Sequence, residues 1–174
     1  MTRAWALTLS LLVLTGAWAQ QSRREPLNPV EIDQLRDAAQ DPEQRIKLYI
    51  QFARTRLASL EQMRADPKVT DRAQQTHDKL QDFLDVYDEL NDNIDTFVGR
   101  KSDLRKPLKG VIEADNEFQA KLRALKSSAE TSKEETQQYQ FLLTNLLDTV
   151  DESVQDHRQL LEQQEEAAKH KKKH

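Results

Sequence analysis

The residues best suited to catalysis or metal binding are the histidines. A zinc-protease helix needs two histidines one turn apart with a glutamate between them, and a di-iron bundle needs a glutamate three residues before a histidine. The di-iron motif needs a glutamate three residues before the histidine, and these positions hold Gln74 before His77 and Val154 before His157. Neither the zinc-protease motif nor the di-iron motif is present. We therefore expect no metal and no cofactor. His157 falls on an apolar helix face, and we interpret it as a core or boundary residue in preference to a ligand or a base.

Other catalytic signatures are missing from the sequence as well. It has no cysteine, no glycine-rich phosphate loop and no serine on a nucleophile elbow. Thiol chemistry and disulfides are excluded, so packing alone must stabilise the fold. We predict that the protein is not an enzyme.

One helix face carries a row of carboxylates that could form an interaction face for a basic partner or for divalent cations. A solvated face opposite an apolar seam is the alternative, because such carboxylates keep a bundle soluble. No calcium-binding loop with its glycine and terminal glutamate accompanies them. The row consists of Asp78, Asp82, Asp85, Asp88, Glu89, Asp92 and Asp95.

The concentrated positive charge of the chain lies at its C-terminus. It could make a weak contact with an anionic surface, a polyanion or a metal, and a disordered solubilising tail is the alternative. With a formal net charge of −4 the chain as a whole lacks the basic footprint of a nucleic-acid binder. The candidate residues are Lys169, Lys171, Lys172 and Lys173.

The periodicity of the apolar residues predicts the elements that carry these faces. Asn28-Pro29 and Asp41-Pro42 each offer a cap followed by a proline at the first helical position, so we expect a short helix from 29 and a second helix from 42 to about 64. Steps of four and three residues then mark heptad seams. They run over Val69–Phe97, Leu104–Leu125 and Tyr139–Leu160.

These seams predict an all-α fold with coiled-coil-like packing. We expect an antiparallel bundle of three long amphipathic helices with one or two shorter N-terminal helices. We also expect a bend near Pro107, a second break at Asp115-Asn116 and fraying of the last helix after Gln164.

The N-terminus predicts export. Arg3 precedes an apolar run from Ala4 to Leu14, and Ala17 and Ala19 form a small-residue cleavage site. The expected organisation is a signal peptide at 1–19, a polar lead-in at 20–28, a helical bundle at 29–165 and a basic disordered tail at 166–174. We expect no transmembrane segment after cleavage and a periplasmic location, with secretion as the alternative.

Three segments carry a resemblance to a group of proteins. They are RIKLYIQFA at 45–53, LDVYDELNDNID at 84–95 and FQAKLRAL at 118–125. They resemble signal-bearing helical proteins of unassigned function from Gram-negative soil bacteria. This resemblance implies export and a helical fold, and it implies no activity.

Two functions fit these features. The first is an exported interaction protein or structural adaptor that binds another protein or itself. The second is a chaperone-like or stress-associated binder of unfolded clients. Exposed apolar surface distinguishes them, because client binding requires an open apolar groove of substantial area.

Overall fold

The computed structural model describes residues 25–128 and 133–171, and in this part of the chain it contains helices and no strands. The all-α prediction is confirmed. The signal peptide predicted at 1–19 lies outside the described residues. The helices are α1 (Pro29–Asp37), α2 (Pro42–Ala65), α3 (Arg72–Gly99), α4 (Arg105–Lys126) and α5 (Lys133–Lys171).

The first two helices begin where their capping residues predict. The Asn28 side chain accepts hydrogen bonds from the N–H groups of Val30 and Glu31, and the Glu31 carboxylate accepts one from the N–H of Asn28. This reciprocal pair is a capping box, which satisfies N–H groups that have no partner within the helix. Asp41 caps α2 by accepting from the N–H of Gln44 at 3.1 Å.

Four long helices form the bundle, and α1 packs on the outside of α2. Around the bundle the order is α2, α3, α5, α4. The helix α2, which was expected to be one of the shorter N-terminal helices, has 24 residues against 22 in α4 and buries a wide stripe between two neighbours. That stripe includes Ile46, Tyr49, Ala53 and Leu57.

Only two of the four neighbouring pairs are antiparallel. On α2 and α4 the ion pairs Glu43–Lys106 and Glu61–Lys121 advance in the same direction along both helices, so this pair is parallel. The pair α3 and α5 is parallel too. Both parallel pairs arise because the short connection after Gly99 crosses the diagonal of the bundle and does not join adjacent helices. Successive long helices run antiparallel, as predicted, and the two parallel pairs are between helices that are not consecutive in the sequence.

The heptad seams close on one core. Leu80, Phe83 and Leu90 of α3 are fully buried, as are Leu108 and Val111 of α4. Among the described residues the large apolar side chains left exposed are Val30, at 66%, and Phe141, at 87%. The bundle therefore hides nearly all of its large apolar side chains.

The helix α4 is continuous from Arg105 to Lys126, so the break expected at Asp115-Asn116 does not occur. Pro107 is the third residue of the helix, in the first turn, where an N–H group would have no partner within the helix, and it causes no break. Asp115 does not cap a restarted helix, since its side chain is fully buried in the core. The helix that carries the seam predicted from Val69 starts at Arg72, after a turn at Asp66.

The last helix also extends further than expected. Residues 166–171 continue α5, where a disordered segment was predicted. The side chain of Gln164 accepts from the N–H of Leu104 at 2.7 Å and donates to the carbonyl of Ser102 at 3.3 Å. Lys109 forms an ion pair with Glu165 at 3.2 Å. These contacts fasten α5 to the start of α4 at the point where fraying was expected.

Candidate functional site

A buried polar network joins three helices at the centre of the bundle. Tyr87 of α3 donates its hydroxyl to Asp115 Oδ1 of α4 at 2.8 Å. The Nδ1 atom of His157 on α5 lies 2.8 Å from Asp115 Oδ2. Tyr87 and Asp115 are fully buried and His157 is 5% exposed, so this network belongs to the core.

Burial governs the electrostatics of the network. Desolvation, followed by the charge of Asp115, raises the pKa of Tyr87 far above its usual value. The phenol therefore stays protonated and donates to the carboxylate. Both oxygens of Asp115 have a partner, as a buried carboxylate requires.

A carboxylate beside an imidazole is also the pairing that orients a catalytic histidine. Here both groups lie inside the helical core, away from any surface that a substrate could reach. The arrangement can join α3, α4 and α5 and can set their relative positions. It does not present a base to a ligand.

A second polar cluster joins α1, α2 and α3. Arg45 donates to the Asn93 side chain at 2.7 Å and to the carbonyl of Leu35 at 2.6 Å. Asn93 donates to the Tyr49 hydroxyl at 3.0 Å. A partly buried ion pair between α1 and α2 supports this interface, because Arg56 binds Glu31 through two hydrogen bonds of 2.7 and 2.6 Å. These contacts fix α1 on α2.

The predicted row of carboxylates lies on the outer side of α3, opposite the buried seam. We call it the acidic face: Asp78, Asp82, Asp85, Asp88, Glu89, Asp92 and Asp95, of which Asp88, Asp92 and Asp95 are exposed and the others are partly exposed. Two of the carboxylates accept hydrogen bonds from uncharged side chains, Asp78 from Gln74 and Asp85 from Gln81. Lys79 Nζ lies 3.7 Å from Asp82 Oδ2.

The carboxylates of the acidic face are spread along the helix and do not converge. Within the described residues no group of three or more acidic or histidine side chains is arranged to hold a metal ion. The face offers distributed negative charge, which suits an extended basic surface better than a single cation.

The basic residues of the C-terminus are only partly within the described residues. Lys169 is exposed on the last turns of α5, and the backbone of Lys171 ends that helix. The side chain of Lys171 and the whole of Lys172 and Lys173 lie outside the described residues. Of the helices in the described part, none has an apolar stretch sufficient to cross a bilayer.

Comparison of this chain with protein families, with curated proteins and with solved structures finds no match in any of the three.

Proposed function

We propose that this protein is an exported, non-enzymatic helical adaptor, located in the periplasm, that binds a basic partner protein through the acidic face of α3. The observation that carries the proposal is the exposed line of carboxylates at Asp88, Asp92 and Asp95. In the described part of the chain Asp92 and Asp95 form no ion pair with a lysine or an arginine. Their charge is available to a partner.

The closed core supports an adaptor over a chaperone. A binder of unfolded clients needs exposed apolar surface, whereas the seam residues of all four long helices are buried against each other. The burial of Asp115 and His157 supports a role without catalysis, because the carboxylate and the imidazole contact each other inside the core and join two helices.

One observation favours the chaperone-like alternative. Phe141 is 87% exposed on the outer side of α5, where its neighbours Gln137, Gln138 and Asn145 are polar. A solvent-exposed phenylalanine is an apolar anchor for a binding partner. A single ring supplies little area for an unfolded client, so we rank this function second.

A fluorescent decalysine peptide is the probe that tests the acidic face. We expect the wild-type protein to bind it in low salt and to lose affinity as salt rises, since the Debye length falls to about 8 Å at 0.15 M. Replacing four carboxylates of the face by asparagine should weaken binding about tenfold or more. The replaced residues are Asp85, Asp88, Asp92 and Asp95.

A matched variant controls for net charge. It neutralises four exposed carboxylates on other helices, Asp37, Glu113, Asp148 and Glu152, and should bind the peptide nearly as well as the wild type does. Equal weakening by both quadruple variants would show that only the total charge matters and would refute the proposal.

The chaperone alternative has its own test. In this test, light scattering measures the aggregation of a denatured client protein. The second function is favoured over the first if a stoichiometric amount of the wild-type protein suppresses the scattering and the Phe141→Ser variant does not.

Export is tested by mass spectrometry of the protein purified from the periplasm. We expect a chain that begins at Gln20, because Ala17 and Ala19 form the cleavage site. Recovery of chains that retain Met1 in the membrane fraction would contradict export with cleavage.

A further inference from the structure

The end of the bundle at which α3 and α5 finish and α4 begins carries a group of accessible cations, and we call it the basic end. The cations come from the α3–α4 connection, the first turns of α4 and the last turns of α5. They are Arg100, Lys101, Arg105, Lys106, Lys109 and Lys169. Arg105 is partly exposed and the other five are exposed, so a partner can reach all six.

Half of these cations are paired with a carboxylate of the bundle. The pairs are Arg105–Asp103, Lys106–Glu43 and Lys109–Glu165. By contrast, Arg100, Lys101 and Lys169 form no ion pair within the described residues. Further carboxylates nearby lie at the start of α2 and on earlier turns of α5: Asp41, Glu162 and Glu166. The α3–α4 connection and the tip of α5 are therefore the positive part of this end.

Two adjoining clefts shape the basic end. One, of about 310 Å³, is lined by Lys101 and Arg105, and the other, of about 260 Å³, is lined by Arg105, Lys109 and Lys169. Ala168 lines both clefts, and its small side chain leaves the cations open to an approaching ligand. Neither lining includes a large apolar side chain, so the clefts suit a charged group and offer no site for an alkyl chain.

The backbone of Lys101 adopts a conformation that favours glycine, since its φ is 59°. Its N–H donates to the carbonyl of Val98 at 2.8 Å, and the N–H of Ser102 donates to the carbonyl of Phe97 at 3.0 Å. This is the Schellman arrangement at the end of α3, in which glycine is the usual residue at the position of Lys101. A lysine there costs stability, and strained residues of this kind cluster at functional sites.

The sequence adds more positive charge next to the basic end. The helix α5 ends at Lys171, and Lys172 and Lys173 follow it directly. Together with the three unpaired cations, these lysines give a cluster of the size that binds anionic lipid.

We propose that the basic end docks the bundle, end-on, on the surface of an anionic phospholipid bilayer, with lipid phosphates on Arg100, Lys101 and Lys169. A flat surface can contact all three at once because they lie at one end of an elongated bundle. Protein partners usually need an apolar or aromatic anchor, and the exposed side chains of that kind in the described residues, Val30 and Phe141, lie away from this end. The surface is separate from the acidic face, so the proposal is independent of the adaptor function.

Co-sedimentation with vesicles tests the proposal. We expect the protein to bind vesicles of equal parts phosphatidylglycerol and phosphatidylcholine in low salt and to be released as salt rises. Vesicles of phosphatidylcholine alone measure any attraction that does not depend on lipid charge, and they should bind much less protein.

Two triple variants locate the contact. Replacing Arg100, Lys101 and Lys169 by glutamine should weaken binding to the anionic vesicles about tenfold or more, because each cation near an anionic bilayer adds to the attraction. The matched control has the same net charge, with glutamine at three exposed lysines of the opposite end, and should bind as the wild type does. The control positions are Lys68, Lys126 and Lys133.

The variant Lys101→Gly separates the loss of charge from a loss of folding. It removes one unpaired cation and relieves the left-handed backbone conformation. It should therefore weaken vesicle binding and melt at a temperature no lower than that of the wild type. Circular dichroism measures the melting temperature of every variant.

The absence of cysteine from the sequence allows a single labelled cysteine to report the orientation. A fluorophore on Ala167→Cys, at the basic end, should be quenched by a lipid with a spin-labelled head group, and the same fluorophore on Ser127→Cys, at the opposite end, should not. Equal quenching at both positions, or equal weakening in both triple variants, would overturn the proposal. So would a protein that binds the soluble polyanion heparin but not the anionic vesicles.

Discussion

Replacing Asp115 by alanine should destabilise the bundle more than any equally small change on its surface. The substitution removes the acceptor of two buried groups, the hydroxyl of Tyr87 and the imidazole of His157. These groups lie on α3 and α5, so the change disrupts contacts among three helices at once. Because Asp115 is fully buried, the two groups left behind are not exposed to bulk water.

The expected loss follows from the geometry of the network. Removing one partner of a buried charged pair typically costs about 3–5 kcal/mol. We expect about 3 kcal/mol here, because the raised pKa of Tyr87 keeps the phenol that is left behind uncharged. For a domain of about 150 residues this corresponds to a fall in Tm of roughly 6–12 °C.

Thermal and urea denaturation followed by circular dichroism measure this loss. Asp115→Asn keeps an acceptor for Tyr87 and should cost less than half as much. Asp92→Ala, on the exposed outer side of α3, is the matched control and should change stability by about 0.5 kcal/mol or less. If Asp115→Ala and Asp92→Ala unfold at the same temperature, the network does not stabilise the core and our reasoning fails.

Three further predictions test the seams and the titrating groups. Leu80→Asp should unfold or severely destabilise the protein, whereas Asp85→Asn should leave the Tm nearly unchanged, because only Leu80 is fully buried. Burial raises the pKa of Tyr87, so its contribution to stability is present below about pH 10 and is lost above it; Tyr87→Phe should flatten the decline in urea midpoint between pH 10 and 12. Burial alone would raise the pKa of Glu31, but Arg56 and the N–H of Asn28 lower it overall. The stability from Glu31 is therefore present above about pH 4.5 and lost as pH falls below that value, and Glu31→Gln should weaken the dependence of the urea midpoint on pH in this acid range.

The fold was largely predictable because helix periodicity is a local property of the sequence. The seam of α3 was identified from the spacing of residues such as Leu80, Phe83 and Tyr87, and all three are buried. The capping residues Asn28 and Asp41 likewise accept hydrogen bonds from N–H groups only three residues further along the chain.

The arrangement of the helices was not predictable in the same way. A connection as long as the one between Gly99 and Arg105 could join either adjacent or diagonal helices. Which of the two it joins depends on how all four helices fit together. The helix expected from 42 to about 64 was identified from its cap, but its position as a full member of the bundle was not predicted.

The buried network was missed for a related reason. Asp115 and His157 both fall on predicted seams, yet Asp115 was interpreted as part of a break in the helix. Its partners are 28 and 42 positions away in the sequence, so no local pattern reveals them. The sequence did contain one signal for this network, namely an aspartate on one predicted seam and a histidine on another.

Site-specific photo-crosslinking in living cells most directly tests the central claim that the acidic face binds a partner. A benzoylphenylalanine at position 92 on α3 should give one discrete adduct that disappears when Asp85, Asp88 and Asp95 are changed to asparagine. The same probe at the exposed Gln155 of α5 should give none. Adducts of equal yield from both positions, or a discrete adduct only from position 141 of α5, would contradict the account.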